Sequence, residues 1–252
     1  MLYQTKELEM ESSDLWWKEP PKIERYGNVQ VVREDLIAGG SKMRFLPFLV
    51  GGAKELVFGA PFCGGAPYAL SVWGQRMKVK VTLFYAKRKH FHARQVAALR
   101  NGATIRQVKM GYMINVQAKA RAYAKEAGAM FLPLGFDLPL AQEPYVAHMK
   151  KVAAQASKVD QVWCAVGSGM LARCLANAFP NAEIHGVIVG LASKNSKQEF
   201  PPNVILHSNP LGFEEQNDYP CPFPACKNYE RKAWQQCESE SKGSVMFWNV
   251  LA

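Results

Sequence analysis

A glycine turn between two apolar runs is the stretch of this sequence best suited to binding an anion. Residues 162–166 are apolar, Gly167, Ser168 and Gly169 follow them, and an apolar helical pattern begins at Met170. Where a strand passes through glycines into a helix, unpaired backbone amides and the positive end of the helix dipole converge, and no Cβ blocks an approaching phosphate. The pattern therefore predicts a phosphate-binding turn, with an ordinary tight turn between a strand and a helix as the alternative.

Two common phosphate motifs fit this turn poorly. Gly-Ser-Gly-Met-Leu-Ala matches the dinucleotide pattern, but that pattern belongs in the first strand-helix unit and needs an acidic residue at the end of the next strand. Here the turn lies about two-thirds along the chain, and the next apolar strand has Glu183 at its start and Gly190 after its end. A P-loop needs Gly-Lys-Ser or Gly-Lys-Thr, which the glycine loops of this chain lack. A nucleotide is therefore a weaker candidate ligand than another phosphate compound.

Strand and helix patterns alternate along most of the chain. Apolar and alternating segments predict strands at 28–32, 55–59, 78–85, 104–108, 130–132, 161–166, 183–189 and 245–251. Helical periodicity predicts helices at 43–50, 68–76, 93–101, 114–127, 145–157, 171–179 and 229–237. Such alternation is typical of parallel sheets that are covered by helices on both faces.

We therefore predict an α/β protein of two lobes. The larger lobe is predicted to consist of residues 1–52 and 141–252, and the smaller lobe of residues 53–140. The proline-rich segment 132–144 is predicted to cross between the two.

The composition indicates an ordinary globular protein. Of the 252 residues, 48% are hydrophobic and 21% are charged, which is enough apolar material for a substantial core. No apolar run approaches the roughly 18 to 20 residues that span a bilayer, and the polar start of the chain does not resemble a signal peptide. We therefore expect a cytoplasmic protein. Because the six cysteines are scattered at irregular spacings, we expect them to be reduced and to form no metal site.

The charge balance points towards anionic partners. The formal net charge is +10, and a surface this basic attracts polyanions and anionic substrates. A run of basic residues with an aromatic residue between them follows the predicted strand at 78–85; its candidate nucleic-acid contacts are Lys87, Arg88, Lys89 and Arg94. Such a run fits the phosphates of a nucleic acid, and a solvated loop is the alternative.

Residues 33–44 carry the most specific chemical signal in the chain. They read Arg-Glu-Asp-Leu-Ile-Ala-Gly-Gly-Ser-Lys-Met-Arg, which resembles the R-x-D-x-x-x-G-G-N-K-x-R signature of the 1-aminocyclopropane-1-carboxylate deaminase and D-cysteine desulfhydrase family. These are fold type II pyridoxal-phosphate enzymes of the tryptophan synthase β-like superfamily. In that family the lysine of the signature forms the Schiff base with the cofactor, so the resemblance implies this role for Lys42. The alternative is a lysine on the surface.

Two further stretches occur in the order that the family has. The glycine turn is similar to the family's phosphate loop, which implies cofactor contacts from Gly167, Ser168, Gly169, Met170 and Leu171. Because relatives often have small or hydroxylated residues where this chain has methionine and leucine, we expect backbone amides and the serine to hold the phosphate.

The second stretch, Asn-Tyr-Glu-Arg-Lys-Ala at 228–233, resembles the deaminase segment Y-E-G-K. There the tyrosine lies beside the substrate and the glutamate meets the pyridine nitrogen. The resemblance implies these roles for Tyr229 and Glu230, with an exposed start of a helix as the alternative.

One part of the family pattern is missing. Where relatives have Ser-Asn-His or Ser-Gly-Asn-His after the second strand, this chain has Phe-Cys-Gly-Gly-Ala at 62–66. The asparagine that would bind the substrate carboxylate is absent. Cys63 and the backbone amides of Gly64 and Gly65 remain as candidate substrate contacts.

The resemblance implies a pyridoxal-phosphate-dependent lyase or deaminase that acts at Cα or Cβ of an amino-acid-like amine, by deamination, elimination or decarboxylation. Two alternatives stay open. The basic run and the lost asparagine also fit an aminoacyl group attached to DNA, as in viral DNA hypermodification. The altered substrate motif also fits a binding protein that retains the fold without activity. We expect no membrane association and, by the resemblance, a homodimer.

Overall fold

The computed structural model of the chain describes residues 16–109, 111–190 and 199–252. The described chain divides into two compact units. The larger unit comprises Lys18–Ser41 and Asp137–Ala252, and the smaller unit comprises Lys42–Phe136 together with Trp16 and Trp17. The divisions fall at 41/42 and 136/137, whereas the sequence placed them at 52/53 and 140/141.

The larger unit is built on a sheet that has six strands within the described residues, in the order β1-β2-β10-β7-β8-β9. The strands are β1 (Lys22–Tyr26), β2 (Val29–Arg33), β7 (Gln161–Val166), β8 (Glu183–Ile188), β9 (Val204–His207) and β10 (Val245–Asn249). Among these described strands only β1 and β2 pair in antiparallel fashion, and the other pairs are parallel. The predicted α/β class with parallel sheets is confirmed.

Three helices belong to the described part of the larger unit: α5 (Pro139–Gln155), α6 (Met170–Ala178) and α7 (Glu230–Glu240). Helix α7 packs its buried side chains Ala233, Trp234 and Cys237 against Trp163 and Phe247 of the sheet. Burial of aromatic side chains removes a large apolar area from water, so this face of α7 is fixed firmly to strands β7 and β10.

The smaller unit is a parallel sheet of four strands in the described residues, in the order β5-β4-β3-β6. Its strands are β3 (Glu55–Gly59), β4 (Lys80–Ala86), β5 (Thr104–Val108) and β6 (Met130–Leu132), and its helices are α1 (Leu46–Val50), α2 (Ala66–Met77), α3 (Ala93–Arg100) and α4 (Met113–Ala127). The bounds of β3, β5 and β6 are those predicted, because each is a short apolar or alternating run between clear turn signals.

Several elements differ from the sequence prediction, and three differ most; in addition, α1 begins at Leu46 where the predicted helix began at Met43. Helix α5 begins at Pro139, so the segment 132–144 is not wholly a crossing; proline is favourable in a first helical turn, where its missing N–H would have no partner. The hairpin strand β1 and the edge strand β9 were not predicted. Both are short and half exposed, and such strands leave a weak hydrophobic signal.

Helices that could cross a membrane are not found among the described residues.

Candidate active site

The glycine turn joins β7 to α6 as predicted. Gly169 precedes the helix with φ +92°, and a Cβ added to it would lie 2.6 Å from Nη1 of Arg173 and 2.8 Å from Cζ of Phe200. A residue with a side chain is strained at such a φ, and here it would also collide with its neighbours. Only glycine therefore fits this position, and the amides of the first turn of α6 stay open to an anion.

Arg173 lies beside this turn and was not picked out from the sequence. Its side chain is 9% exposed, and its Nη2 donates to Oδ2 of Asp137 in an ion pair. Its Nε and Nη1 are buried and have no hydrogen-bond partner among the described residues. Because side chains of a helix lean towards its N-terminus, a buried guanidinium in the fourth helical position with two open donors fits a phosphate at the turn.

Two more glycines keep other segments close to the turn. A Cβ on Gly190 would lie 3.2 Å from Cα of Gly167, and a Cβ on Gly167 would lie 3.5 Å from Cε1 of Tyr229. The ring of Tyr229 therefore lies next to the glycine turn, and it also contacts the ring of Phe213, at 5.7 Å between ring centroids. The structure brings together two of the residues that the sequence had proposed separately.

Glu230 is the first residue of α7 and is only 3% exposed. It is therefore not the solvated glutamate of an exposed helix start. Burial, and secondly the negative charge of Glu230, raise the pKa of the Cys164 thiol to about 12. Because Cys164 belongs to β7, the carboxylate of Glu230 lies close to the strand that leads into the glycine turn.

The residues before Lys42 are fixed at the C-terminal end of β10. The amide of Ser41 donates to the carbonyl of Val250 at 3.3 Å, and Gly40 has φ +70° with that carbonyl 2.5 Å from where a Cβ would lie. Strand β10 is the neighbour of β7, with Phe247 opposite Trp163. The glycine turn therefore follows β7, and the segment that leads into Lys42 is hydrogen-bonded to the C-terminal end of the neighbouring strand β10.

Lys42 itself is half-buried in a 3-10 helix, Gly40–Arg44, which links the two units along the chain. The predicted junction between a strand and a helix is present, although a second 3-10 turn, Glu34–Leu36, and a short loop separate β2 from the lysine.

The third predicted cluster lies in the smaller unit. Cys63 and Gly64 are buried, and Gly65 precedes α2, whose first turn contains Pro67. Nη1 of Arg94 donates to the carbonyl of Cys63 at 3.1 Å. The amide of Gly64 donates to the carbonyl of Pro61 at 3.4 Å, so Gly65 and the start of α2 carry the amides that could bind a carboxylate in place of the missing asparagine, and Arg94 holds the turn in position.

Solved structures provide a comparison for this arrangement. An ACC deaminase homologue matches with a TM-score of 0.72 and 15% identity, covering 96% of this chain and 95% of its own. Threonine deaminase isoform 2 from Solanum lycopersicum matches with a TM-score of 0.65 and 14% identity, over 89% of this chain and 74% of its own. Diaminopropionate ammonia lyase from Escherichia coli matches with a TM-score of 0.66 and 11% identity, over 95% and 88%.

This chain has the fold of the type II pyridoxal-phosphate enzymes. No protein-family model matches it, and no curated protein sequence does. The fold type II architecture that residues 33–44 had implied is thereby confirmed. At such low identity a structural match establishes the fold, and the chemistry has to be argued from the side chains.

Proposed function

We propose that the protein is a pyridoxal-phosphate-dependent enzyme that acts at Cα or Cβ of an amino-acid-like amine, with Lys42 as the lysine that takes the cofactor covalently. One observation carries the proposal: the glycine turn follows β7, and the segment leading into Lys42 is hydrogen-bonded to the C-terminal end of β10, the strand that pairs with β7. A phosphate anchor and a reactive lysine are the two groups that this cofactor requires of a protein.

The residues of the larger unit fit a bound pyridoxal phosphate. Backbone amides of the turn, the hydroxyl of Ser168 and the two open donors of Arg173 would hold the phosphate. Met170 and Leu171 would contribute through their backbone amides. The buried carboxylate of Glu230 would hold a proton on the pyridine nitrogen, and Tyr229 would lie beside the ring and the substrate.

The chemistry divides between the cofactor and these side chains. When bound, pyridoxal phosphate withdraws electrons from the substrate and so stabilises negative charge at Cα. Lys42 would take the proton from Cα and return it at Cα or Cβ. A lysine must be partly neutral to do so.

Substrate carboxylate binding is assigned to the turn of Cys63, Gly64 and Gly65. The amide of Gly65 lies at the start of α2, the amide of Gly64 also donates to the carbonyl of Pro61, and the backbone of the turn is supported by Arg94. Without the asparagine of the deaminases, this set is less specific for a small free amino acid. Deamination, elimination and decarboxylation all remain within the proposal.

Absorbance of the purified protein after addition of pyridoxal phosphate tests the proposal. We expect a yellow protein whose colour is lost on borohydride reduction, with the mass of the reduced cofactor found on the peptide that contains Lys42. Lys42→Ala should bind without the covalent link, while Lys54→Ala, which changes an exposed lysine, should behave as the unaltered protein. A colourless protein with no affinity for the cofactor would refute the proposal.

A substrate attached to DNA is the second candidate, with the same chemistry on an aminoacyl group. It is supported by the charge of residues 42–136, which hold 16 Lys and Arg but only two Asp and Glu.

Addition of candidate amines separates either enzyme from a binding protein without activity, because only a competent enzyme changes the absorbance of its bound cofactor when the amine reacts. A homodimer stays a prediction from the resemblance.

A further inference from the structure

The positive charge of this protein is concentrated in one part of the chain. Residues 42–136 contain 16 Lys and Arg against two Asp and Glu, which is a formal charge of +14. The rest of the chain contains 15 Lys and Arg against 19 Asp and Glu, a formal charge of −4. The basic character is therefore a property of residues 42–136 and not of the chain as a whole.

The two acidic residues of this segment do not offset the charge at the C-terminal ends of the strands. Glu55 is the first residue of β3 and lies at the N-terminal end of the strands, where it accepts hydrogen bonds from Thr82 and Tyr123. Glu126 lies in the last turn of α4, which ends at Ala127.

The C-terminal ends of β4 and β5 place four cations side by side. Ala86 is opposite Val108 in the ladder, and the amide of Lys87 donates to the carbonyl of Val108 at 2.9 Å. Because adjacent strands are about 5 Å apart, Lys87 and Lys109 follow their strands next to one another. Arg88 and Lys89 continue the exposed row.

Aromatic rings accompany these cations. The guanidinium carbon of Arg88 lies 4.2 Å from the centroid of the Phe62 ring, so the two side chains stack on one another. Tyr112, three residues after Lys109, is 76% exposed, and Phe91 is 41% exposed. Rings that are exposed to this degree make few contacts within the protein, so their faces can stack on a flat aromatic ligand.

We propose that this surface, which we call the basic edge, binds single-stranded nucleic acid; its residues are Lys87, Arg88, Lys89, Lys109, Phe91 and Tyr112. The row of cations meets the phosphates of one strand, and the exposed rings stack on its unpaired bases. An acidic protein segment would use the cations but would leave the rings without a matching flat partner. Arg94 is excluded from the basic edge because it donates to the carbonyl of Cys63.

The proposal goes beyond the pyridoxal-phosphate chemistry and does not depend on it. Binding is measured on the full chain by fluorescence anisotropy of a labelled single-stranded oligonucleotide of about 16 nucleotides, with a duplex of the same sequence as a second probe. Carrying out the titrations with Lys42→Ala as well as the unaltered protein separates the two proposals, since loss of cofactor chemistry leaves this binding unchanged.

A pair of triple variants with equal change of charge tests the location. Lys87→Glu with Lys89→Glu and Lys109→Glu should weaken single-strand binding at least a hundredfold and lower the slope of log affinity against log salt by about 2. The control triple changes exposed lysines elsewhere in the same unit, Lys54, Lys119 and Lys125, to glutamate, and should weaken binding by less than tenfold. Far-ultraviolet circular dichroism of each triple confirms that the chain is folded.

Stacking is tested by Tyr112→Ala, which should weaken binding of the single strand about tenfold, whereas Tyr112→Phe and Ile114→Ala should retain it. Ile114 is a suitable control because it is 78% exposed at the start of the same helix. Four results would each overturn the proposal. They are equal losses of affinity in the two triple variants, displacement of the strand by polyglutamate as readily as by unlabelled strand, tighter binding of the duplex, and no binding at about 0.1 M salt.

Discussion

Nη1 of Arg173 lies 2.6 Å from the position that a Cβ on Gly169 would occupy. The guanidinium of Arg173 therefore fills the space beside Gly169 that a side chain would need. Nη1, which has no hydrogen-bond partner among the described residues, therefore lies beside the amides that follow Gly169.

Gly169→Ala should disrupt this arrangement. The substitution combines the cost of a side chain at φ +92° with a collision against Arg173 and Phe200, and we expect a loss of at least about 2 kcal/mol in the free energy of unfolding. Gly102→Ala is the matched control, because Gly102 has φ +87° but no atom of the described chain within 4 Å of its Cβ position. It should lose only about 1 kcal/mol, measured by urea denaturation. Equal losses would show that the collision costs nothing.

Arg173→Lys should weaken binding of pyridoxal phosphate about tenfold to a hundredfold, because it removes charge-assisted hydrogen bonds from the phosphate. Binding of pyridoxal, which has no phosphate, should be unchanged, so the ratio of the two affinities is the measurement. Asp137→Asn removes the ion pair but keeps the guanidinium, and it should preserve the preference for the phosphate. If Arg173→Lys keeps that preference as well, the arginine has only a structural role.

Glu230→Gln should leave the cofactor bound but slow the reaction of a competent amine at least about a hundredfold, because a neutral amide holds no proton on the pyridine nitrogen. The rate of the absorbance change after addition of the amine measures this effect. Glu238→Gln changes an exposed glutamate of the same helix and should react at the unaltered rate. Full activity in Glu230→Gln would remove this residue from the proposed machinery.

Two histidines of the larger sheet, His185 and His207, are hydrogen-bonded to one another. Nδ1 of His185 and Nε2 of His207 lie 2.9 Å apart, and the Trp163 ring stacks on both imidazoles. The outer nitrogens face Glu183, at 3.2 Å, and Glu240, at 3.4 Å. A single hydrogen bond between the two rings requires one of the facing nitrogens to be without a proton.

Stability should fall as the pH drops through the range of histidine titration. Burial first, and then the neighbouring His185, lower the pKa of His207, although Glu240 acts in the opposite direction. Because the folded-state pKa lies below that of the unfolded chain, the unfolded chain takes up more protons below pH ~6.5, so this contribution is present above that pH and is lost as the pH decreases.

The measurement is the free energy of unfolding in urea between about pH 7.5 and pH 5, across the titration range. His207→Gln should flatten part of the decline, and His90→Gln, which changes an exposed histidine, should leave it unchanged. Burial also lowers the pKa of His92, so some of the decline will remain in His207→Gln. An unchanged curve for that variant would contradict the expectation.

Much of the fold could be predicted because its strands and helices are local patterns. Strand β7 has the bounds that its apolar run predicted, and α4 begins one residue before the predicted start. The edge strand β9 could not be predicted, because its pattern is short and its residues are stabilised mainly by pairing with β8. Helix α5 was predicted too short because its prolines were interpreted as a break rather than as a helix start.

The sequence by itself determined the groups that suggest the chemistry. The residues around Lys42 and the glycine turn are each contiguous, and contiguous residues can carry a recognisable motif. Tertiary structure alone decided the neighbours of these groups: Arg173 with Asp137, Tyr229 against Gly167, and Lys87 beside Lys109. These pairs are separated by 36, 62 and 22 positions in the chain. Sheet register and helix packing bring them together, and no local periodicity specifies which distant residues will meet.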